Sequence, residues 1–530
     1  MTSRSSVHLE HGPLGAYPRA VPYYFTQTGS MSQAAIFNEG APLPCPVSFN
    51  LAHYVLAAGK DDAIALEVIA QTTTRWRYAD LRDAVWRTAG GLLDTGLVAG
   101  DRLLLRVGND AAFPILFLAA IAVGIVPVPT SALLTEPEVR SIVAELEPKL
   151  VAFAGGLEPI AKLGVPTLDA AGVARLRAAE PAAPVMGDPD RLAYMIYTSG
   201  TSGKPRAVMH AHRAVWARRM MWNGWYGLRA DDRMLHAGAF NWTYTLGTGL
   251  LDPWAIGATA MVYTGPPDRS IWGKLVAQHR ATIFAAAPGV YRQIVETGAD
   301  GFDGLRHGLS AGEKMPAAVL SAWQEQTGKQ VYEALGMSEV STFVSSSPNV
   351  PPKSGTSGRV QQGRHIGVLG PDGPVEANQP GVLAVHRSDQ GLMLGYMGQP
   401  AETAAKFQGD WFVTGDTVSM DEDGYITYLG RDDDMMNAGG YRVSPLEVEA
   451  AMLACEGVEH AAAAEVEVRA GVHVIAGFYV ADRDLDAKLT ENCARTLAKY
   501  KQPRMFVRMD TLPTGANNKV QRKALRDWKV

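Results

Sequence analysis

The sequence predicts an α/β protein. Its parts are a large N-terminal domain of parallel sheets covered by helices in an αβαβα-type layering, a small β-rich subdomain, and a small α+β domain at the C-terminus. Three observations predict it. From about Phe49 to Leu429, β-rich apolar runs alternate with stretches of helical spacing, the mark of strands joined by crossover helices. Residues 355–430 instead carry short strand-like runs separated by DG, NQPG and EDG turns. After Leu429 and Gly430 a polar run, Arg431-Asp432-Asp433-Asp434, separates the tail from everything before it. The division expected is therefore 1–30, 31–430 and 431–530. Residues 1–30 are polar, rich in Pro and Gly and without periodicity, so they are expected to be a disordered extension, with Met31 as a candidate start. A chain of 530 residues exceeds one ordinary domain of ~100–200 residues, in line with this division.

Taken in order, Tyr78 to Thr95 and Glu136 to Glu145 place apolar residues at helical spacing, while Arg102 to Val107, Lys149 to Phe153 and Thr282 to Ala285 read as strands. The longest apolar stretch runs from Ala111 to Val128, and Pro114 and Pro127 bracket its uninterrupted part. As a helix its uninterrupted part would span ~20 Å against the ~30 Å of a bilayer core. It is expected to be a buried helix running into a buried strand at Ile125, Val126 and Val128. Past the loop of 198–205, Ala211 to Trp225 reads as helical. In the tail, Ser444 and Glu447 have the spacing of a capping box and Pro445 suits a first helical position, so a helix is expected to begin at 445.

Composition excludes several functions. The 49 basic against 54 acidic residues leave a net charge of −5, which rules out broad binding to nucleic acid or to an anionic membrane. The three cysteines, Cys45, Cys455 and Cys493, are far apart, which excludes a disulfide framework or a cysteine zinc site and fits a reducing compartment. No basic stretch followed by an apolar core opens the chain, so a cytoplasmic protein is expected, without integral membrane contact.

The most informative segment is Tyr197 to Arg206, YTSGTSGKPR. A strand-like run from Leu192 leads into Thr198, Ser199, Gly200, Thr201, Ser202, Gly203 and Lys204. Glycines let a backbone approach an anion closely, and hydroxyls and amide N–H groups surround phosphate oxygens with donors. Only two residues separate Gly200 from Gly203, so this is not a P-loop of the G-x-x-x-x-G-K-[ST] kind. The segment resembles the phosphate loop of the AMP-forming adenylating superfamily, which includes the acyl- and aryl-CoA synthetases, luciferases and peptide-synthetase adenylation domains. Where that family has Lys and Gly after the proline, this chain has Arg206 and Ala207, a cation retained in another shape.

Further motifs follow in the family's order, over roughly residues 49 to 528. Ser310 to Lys314, with Gly312, Glu313 and Lys314, resembles the segment lining the adenine; Leu335 would offer it an aliphatic surface. Leu335-Gly336-Met337-Ser338-Glu339 resembles the motif whose hydroxyl, Ser338, contacts the α-phosphate and whose carboxylate, Glu339, holds Mg²⁺, with Thr198 as a second metal contact. Trp411 to Asp416 resembles the ribose motif, in which the Asp416 carboxylate receives both ribose hydroxyls. Gly430 to Glu449 is most similar to the benzoate and medium-chain acyl-CoA synthetase branch. By resemblance Asp433 is a hinge, Arg431 contacts the nucleotide, and Gly439, Gly440 and Arg442 meet coenzyme A, which makes 431–530 a mobile domain. Leu512 to Arg522 resembles the catalytic-lysine motif, with Lys519 as the lysine and Asn518 in place of the usual glycine.

The same branch lines its acid pocket with an aromatic-rich segment, matched here by His236 to Tyr244. Asn241 and Thr243 stand where the family has Phe and Ala, beside His236, Trp242 and Tyr244, and Gly336 and Met337 are expected at the pocket too. A second wall is expected from Val340 to Ser345. Two polar walls imply a compact acid with a polar group. The resemblance thus implies an ATP- and Mg²⁺-dependent carboxylate–CoA ligase working through an acyl-AMP, with Lys519, Arg206 and Glu339 catalytic. The acid would be aromatic or of short to medium chain, the other substrates ATP and coenzyme A. A homodimer is left open. Two alternatives stand beside it: an adenylating enzyme that loads a carrier protein, and a non-catalytic AMP/ATP-binding module.

Overall fold

The computed structural model describes residues 34–530 except 199–205, 267, 269, 313, 432–433, 439–440, 470–471, 498, 515–519 and 529–530. The expected extension, 1–30, lies outside the described residues.

Six adjacent parallel strands form the centre of a nine-stranded sheet: Ile64–Ile69, Thr259–Tyr263, Arg233–His236, Ile283–Ala286, His307–Ala311 and Val331–Met337, with antiparallel strands at both edges. A second, four-stranded parallel sheet holds Arg102–Val107 between Val126–Pro129 and Leu150–Ala154. Pro127 and Pro129 sit on its edge strand, where a missing N–H costs no ladder bond. Between the two sheets lies the helix Ala112–Ala122, in which every residue from Phe113 to Ala122 is buried. It is apolar all round because it has core on every side. The apolar stretch from Ala111 is thus a buried helix followed by a buried strand, as its length requires.

Residues 366–431 supply six strands of a seven-stranded antiparallel sheet around Gly381–His386 and Trp411–Met420, and the short strand Ile36–Phe37 is the seventh, at its edge. The tail has its own apolar cluster (Met436, Val448, Met452, Ile475 and Leu489 among others) under a sheet of His460–Arg469, Val472–Val480 and Met505–Arg508. Arg522 braces it with a two-oxygen contact to Glu449, at 2.7 and 2.8 Å.

Two local expectations are corrected. The stretch after the loop does not go straight into helix. Arg206–Ala211 first returns as a strand antiparallel to Leu192–Thr198, and the helix begins only at Arg213. The helix Pro445–Leu453 starts where expected, with proline in its first turn, but the capping box does not form. The Ser444 hydroxyl donates instead to the Leu429 carbonyl, and Glu447 pairs with Lys501. Serine here ties the tail to the strand before it.

Candidate active site

In a parallel sheet, ligands bind beyond the carboxyl ends of the strands. Three of the predicted motifs emerge there, from strands that are near neighbours. His236 ends one strand, Ala311 ends another with Gly312 after it, and Met337 ends a third with Ser338 and Glu339 after it. Gly312 turns with φ +101°, a conformation other residues rarely adopt, and Lys314 beyond it is exposed. Gly336 is required for another reason. A Cβ there would lie 2.3 Å from the Ser341 carbonyl oxygen, so the turn to the next strand, Ser341–Ser345, closes only on glycine.

Around Glu339 the side chains form a polar cluster. One carboxylate oxygen accepts from the Tyr396 hydroxyl at 2.7 Å. The Arg206 guanidinium stacks over the Tyr396 ring, 5.0 Å from its centroid, and pairs with Glu402. Burial and the Glu339 carboxylate both push the Tyr396 hydroxyl well up, so it stays a donor. Lys406 faces the same centre. Burial lowers its ammonium pKa, and Glu339, Arg431, Arg206 and Asp416 are the charges that act on it. On the neighbouring strands Asp416 and Arg431 are direct cross-strand partners. Arg431 Nη1 donates to Asp416 Oδ1 at 3.1 Å, and the Tyr428 hydroxyl to the same oxygen at 3.2 Å. Burial nevertheless raises the Asp416 pKa against the pull of Arg431. Gly415, at φ +81°, leaves room for that guanidinium: a Cβ would meet it at 2.8 Å.

Beside Ser338 opens a small cavity of ≈ 20 Å³. Both expected acid walls reach it, Thr243 from one side and Val340 with Ser341 from the other. Thr243 is the sole lining residue from the aromatic segment. His236 and Tyr244 are turned into the sheet instead. His236 Nδ1 accepts from the Gly238 N–H at 3.0 Å, and burial holds it neutral with a pKa of about 3. The Tyr244 hydroxyl donates to the Leu309 carbonyl at 3.1 Å, while its ring stacks on Trp225. Trp242 is 47% exposed, Asn241 half-buried, and neither lines the cavity. Leu335 and Met337 pack against the antiparallel sheet's core. Asn109 braces the whole segment through Gly238 and Phe240, at 2.8 and 3.0 Å.

Sequence reasoning missed Tyr396, Lys406 and Tyr428 around Glu339 and Asp416, and His210 and Arg218 in the cavity wall. Nothing in the surrounding runs marks them out; contacts between segments distant in the chain bring them in. Several predicted residues lie outside the described residues: Ser199, Gly200, Thr201, Ser202, Gly203, Lys204, Glu313, Asp433, Gly439, Gly440 and Lys519. Thr198 ends its strand at the start of that loop, and Arg442 lies on the strand Tyr441–Val443. Among the described residues no three His, Cys, Asp or Glu side chains gather as a metal cluster, and no helix is long and apolar enough to cross a membrane.

A parallel sheet with the Gly312 and Ser338–Glu339 turns at its carboxyl ends, the Asp416–Arg431 strand pair near them and a separately packed tail is the arrangement expected of a nucleotide-dependent activating enzyme. The chain belongs to the AMP-binding enzyme family, whose model matches residues 55–397, and the model of the family's C-terminal domain matches 447–519. Among its relatives, a 3-hydroxybenzoate–CoA ligase of Aromatoleum sp. is 29% identical over 89% of this chain and 94% of its own. A 4-hydroxybenzoate–CoA/benzoate–CoA ligase of Rhodopseudomonas palustris is 32% identical over 85% and 88%. The crystal structure of a benzoate CoA ligase from Burkholderia xenovorans LB400 superimposes with a TM-score of 0.79 at 27% identity, covering 90% of this chain and all of that one.

Proposed function

We propose that this chain activates a compact carboxylic acid, aromatic or of short to medium length, at the junction of the Glu339 cluster and the Ser338 cavity. The reaction class is an ATP-dependent acid–CoA ligation through an acyl-AMP, in keeping with the family and its full-length relatives. The observation that carries the local reading is that junction: groups suited to phosphate and ribose gather around Glu339, and a small, partly polar cavity lies beside Ser338.

In the first half-reaction a carboxylate oxygen attacks the α-phosphorus and pyrophosphate leaves. Charge develops on the phosphoryl oxygens, and Arg206, Thr201 and Lys519 would stabilise it electrostatically. Asp416, held by Arg431 and Tyr428, would receive the ribose hydroxyls. In the second half-reaction the CoA sulfur attacks the acyl carbonyl carbon and AMP leaves. For that step residues 431–530 would swing about Asp433, withdrawing Lys519 and presenting Gly439, Gly440 and Arg442 to coenzyme A.

Mg²⁺ fits this site as a nucleotide-borne ion. Such an ion needs one or two carboxylates plus phosphate oxygens and waters. Glu339 offers one carboxylate, with Tyr396 on one oxygen only. Glu339, with Thr198, would hold the ion, which would neutralise phosphate charge. The three unpaired thiols are in keeping with a cytoplasmic setting.

An ATP–pyrophosphate exchange screen against aromatic and C3–C10 acids tests the reading. Exchange that depends on a particular acid is expected; none with any acid would refute it.

A further inference from the structure

The acid cavity ends on a buried ion pair that the ligation itself does not need. Arg218 is 6% exposed and Asp252 fully buried. Arg218 Nε lies 2.9 and 3.0 Å from the two Asp252 oxygens, and Nη2 lies 2.6 Å from Oδ2. Tyr226 completes the clasp, donating to Oδ2 at 2.7 Å and accepting from Nη2 at 3.0 Å. Burial pushes the Asp252 carboxyl up and Arg218 pulls against it, while Asp252 raises the guanidinium. The two-oxygen geometry is that of an ionised pair.

The surroundings are shaped to hold this pair at the cavity wall. A Cβ on Gly247 would lie 2.1 Å from the guanidinium carbon, so only glycine admits the arginine. Two π-helical turns, Trp222–Tyr226 and Gly247–Leu251, bring Tyr226 and Asp252 onto it. Such turns often occur at functional sites. Nη1 donates to Ser341 Oγ, and Ser341 is held at φ +82°, which non-glycine residues rarely adopt.

Of the five guanidinium N–H groups, one on Nη1 is left without a partner. His210, also in the cavity wall, is 3% exposed; the Ser338 backbone lies against one ring nitrogen, and the other has no partner. Burial holds it neutral, with a pKa of about 3. The cavity wall therefore offers a spare cationic donor, one free nitrogen of a neutral imidazole, and the hydroxyls of Ser341 and Thr243.

We propose that the acid carries a hydroxyl on the end away from its reacting carboxylate, seated between Arg218, Ser341 and His210, and that the Arg218–Asp252 pair selects for it. This rests on the ligase reading above. A second carboxylate fits poorly, because Asp252 already neutralises Arg218 and the imidazole opposite carries no charge. A bare hydrocarbon end fits poorly too, since it would bury the spare N–H and an imidazole nitrogen without partners. Sites built to bind a substrate hydroxyl reject the analogue that lacks it by large factors.

The test is acid-dependent ATP–pyrophosphate exchange by the full chain with two matched sets. One is benzoate, 3- and 4-hydroxybenzoate and isophthalate; the other is butanoate, 3- and 4-hydroxybutanoate and succinate. A hydroxylated acid should exceed its parent and its dicarboxylate in kcat/KM by about 100-fold or more. In the double variant Arg218→Met with Asp252→Leu, that preference should collapse or invert while ATP affinity holds. A parent acid or a dicarboxylate used by the wild-type chain as well as the hydroxylated one overturns the inference, whether or not the double variant folds. Absence of exchange with every acid overturns the ligase reading and this inference with it, and the two failures are told apart by whether any turnover occurs.

Discussion

Replacing Asp416 with alanine should weaken ATP binding far more than acid binding. Asp416 is 9% exposed, and Arg431 at 3.1 Å and Tyr428 at 3.2 Å hold its Oδ1. That clasp fixes the carboxylate where it would accept from the ribose hydroxyls. A charge-assisted contact of this kind contributes ~1.5–3 kcal/mol, so the nucleotide Kd should rise roughly ten- to a hundredfold. Asp416→Asn keeps one acceptor but loses the charge, and should fall between wild type and alanine. Calorimetric titration of each variant with ATP reads the effect directly, with a thermal melt to show that the sheet is intact. Because burial raises the pKa of Asp416, its ionised form is lost earlier than usual as pH falls, and ATP affinity should fall with it. A nucleotide Kd unchanged in a folded Asp416→Ala variant would remove this residue from the site.

Lys406→Ala should cost about tenfold in ATP affinity, the scale of one charge-assisted contact, and should leave the KM for CoA nearly unchanged; an effect confined to CoA would be contrary. Gly336→Ala should destabilise by ~2 kcal/mol or more, since the new Cβ would meet the Ser341 carbonyl at 2.3 Å; a wild-type melting temperature would contradict the tight hairpin. Stability should also be lost in acid. His210, His212 and His236 are held by burial at a pKa of about 3 and His307 at about 4, whereas an unfolded histidine titrates near ~6.5. The unfolded chain takes up these protons first, so stability falls as pH drops below about 6.5, at ~1.4 kcal/mol per pH unit for each histidine. A Tm equal at pH 7.5 and pH 5.0 would show that these rings are not held neutral. Lys519→Ala should fail to form acyl-AMP yet convert supplied acyl-AMP and CoA at near the wild-type rate, and Asp433→Pro should do the reverse. Equal slowing of both halves by Lys519→Ala would remove the domain swing.

Much of this was legible because it is written locally. Arg102 to Val107 is a strand at the bounds its composition suggests, and the helix expected from Tyr78 ends at Asp94, one residue before Thr95. The motifs ending in Glu339 and Asp416 could be picked out because chain order alone relates them. What could not be read depends on pairing across long sequence distances. Tyr396 reaches Glu339 only because the strand Gly395–Tyr396 joins the hairpin of Arg206–Ala211. Arg218 reads as one of several arginines on an amphipathic helix until Asp252, 34 residues on, closes over it. The aromatic segment misled for a related reason. Residue type placed His236 and Tyr244 in a pocket, but backbone partners at Gly238 and Leu309 turn them into the sheet. The capping box at Ser444 failed because a hydroxyl can serve either its own helix or a neighbouring strand, and here it serves Leu429.

The central claim, that this chain joins an acid to coenzyme A through an acyl adenylate, is tested most directly by product stoichiometry. The full chain would be incubated with ATP, Mg²⁺, CoA and an acid that supports pyrophosphate exchange, and the products quantified by mass spectrometry. The account predicts AMP, pyrophosphate and acyl-CoA in equal amounts, with acyl-AMP retained on the protein when CoA is left out. ADP and phosphate in place of AMP and pyrophosphate, or AMP formed with no thioester, would contradict it.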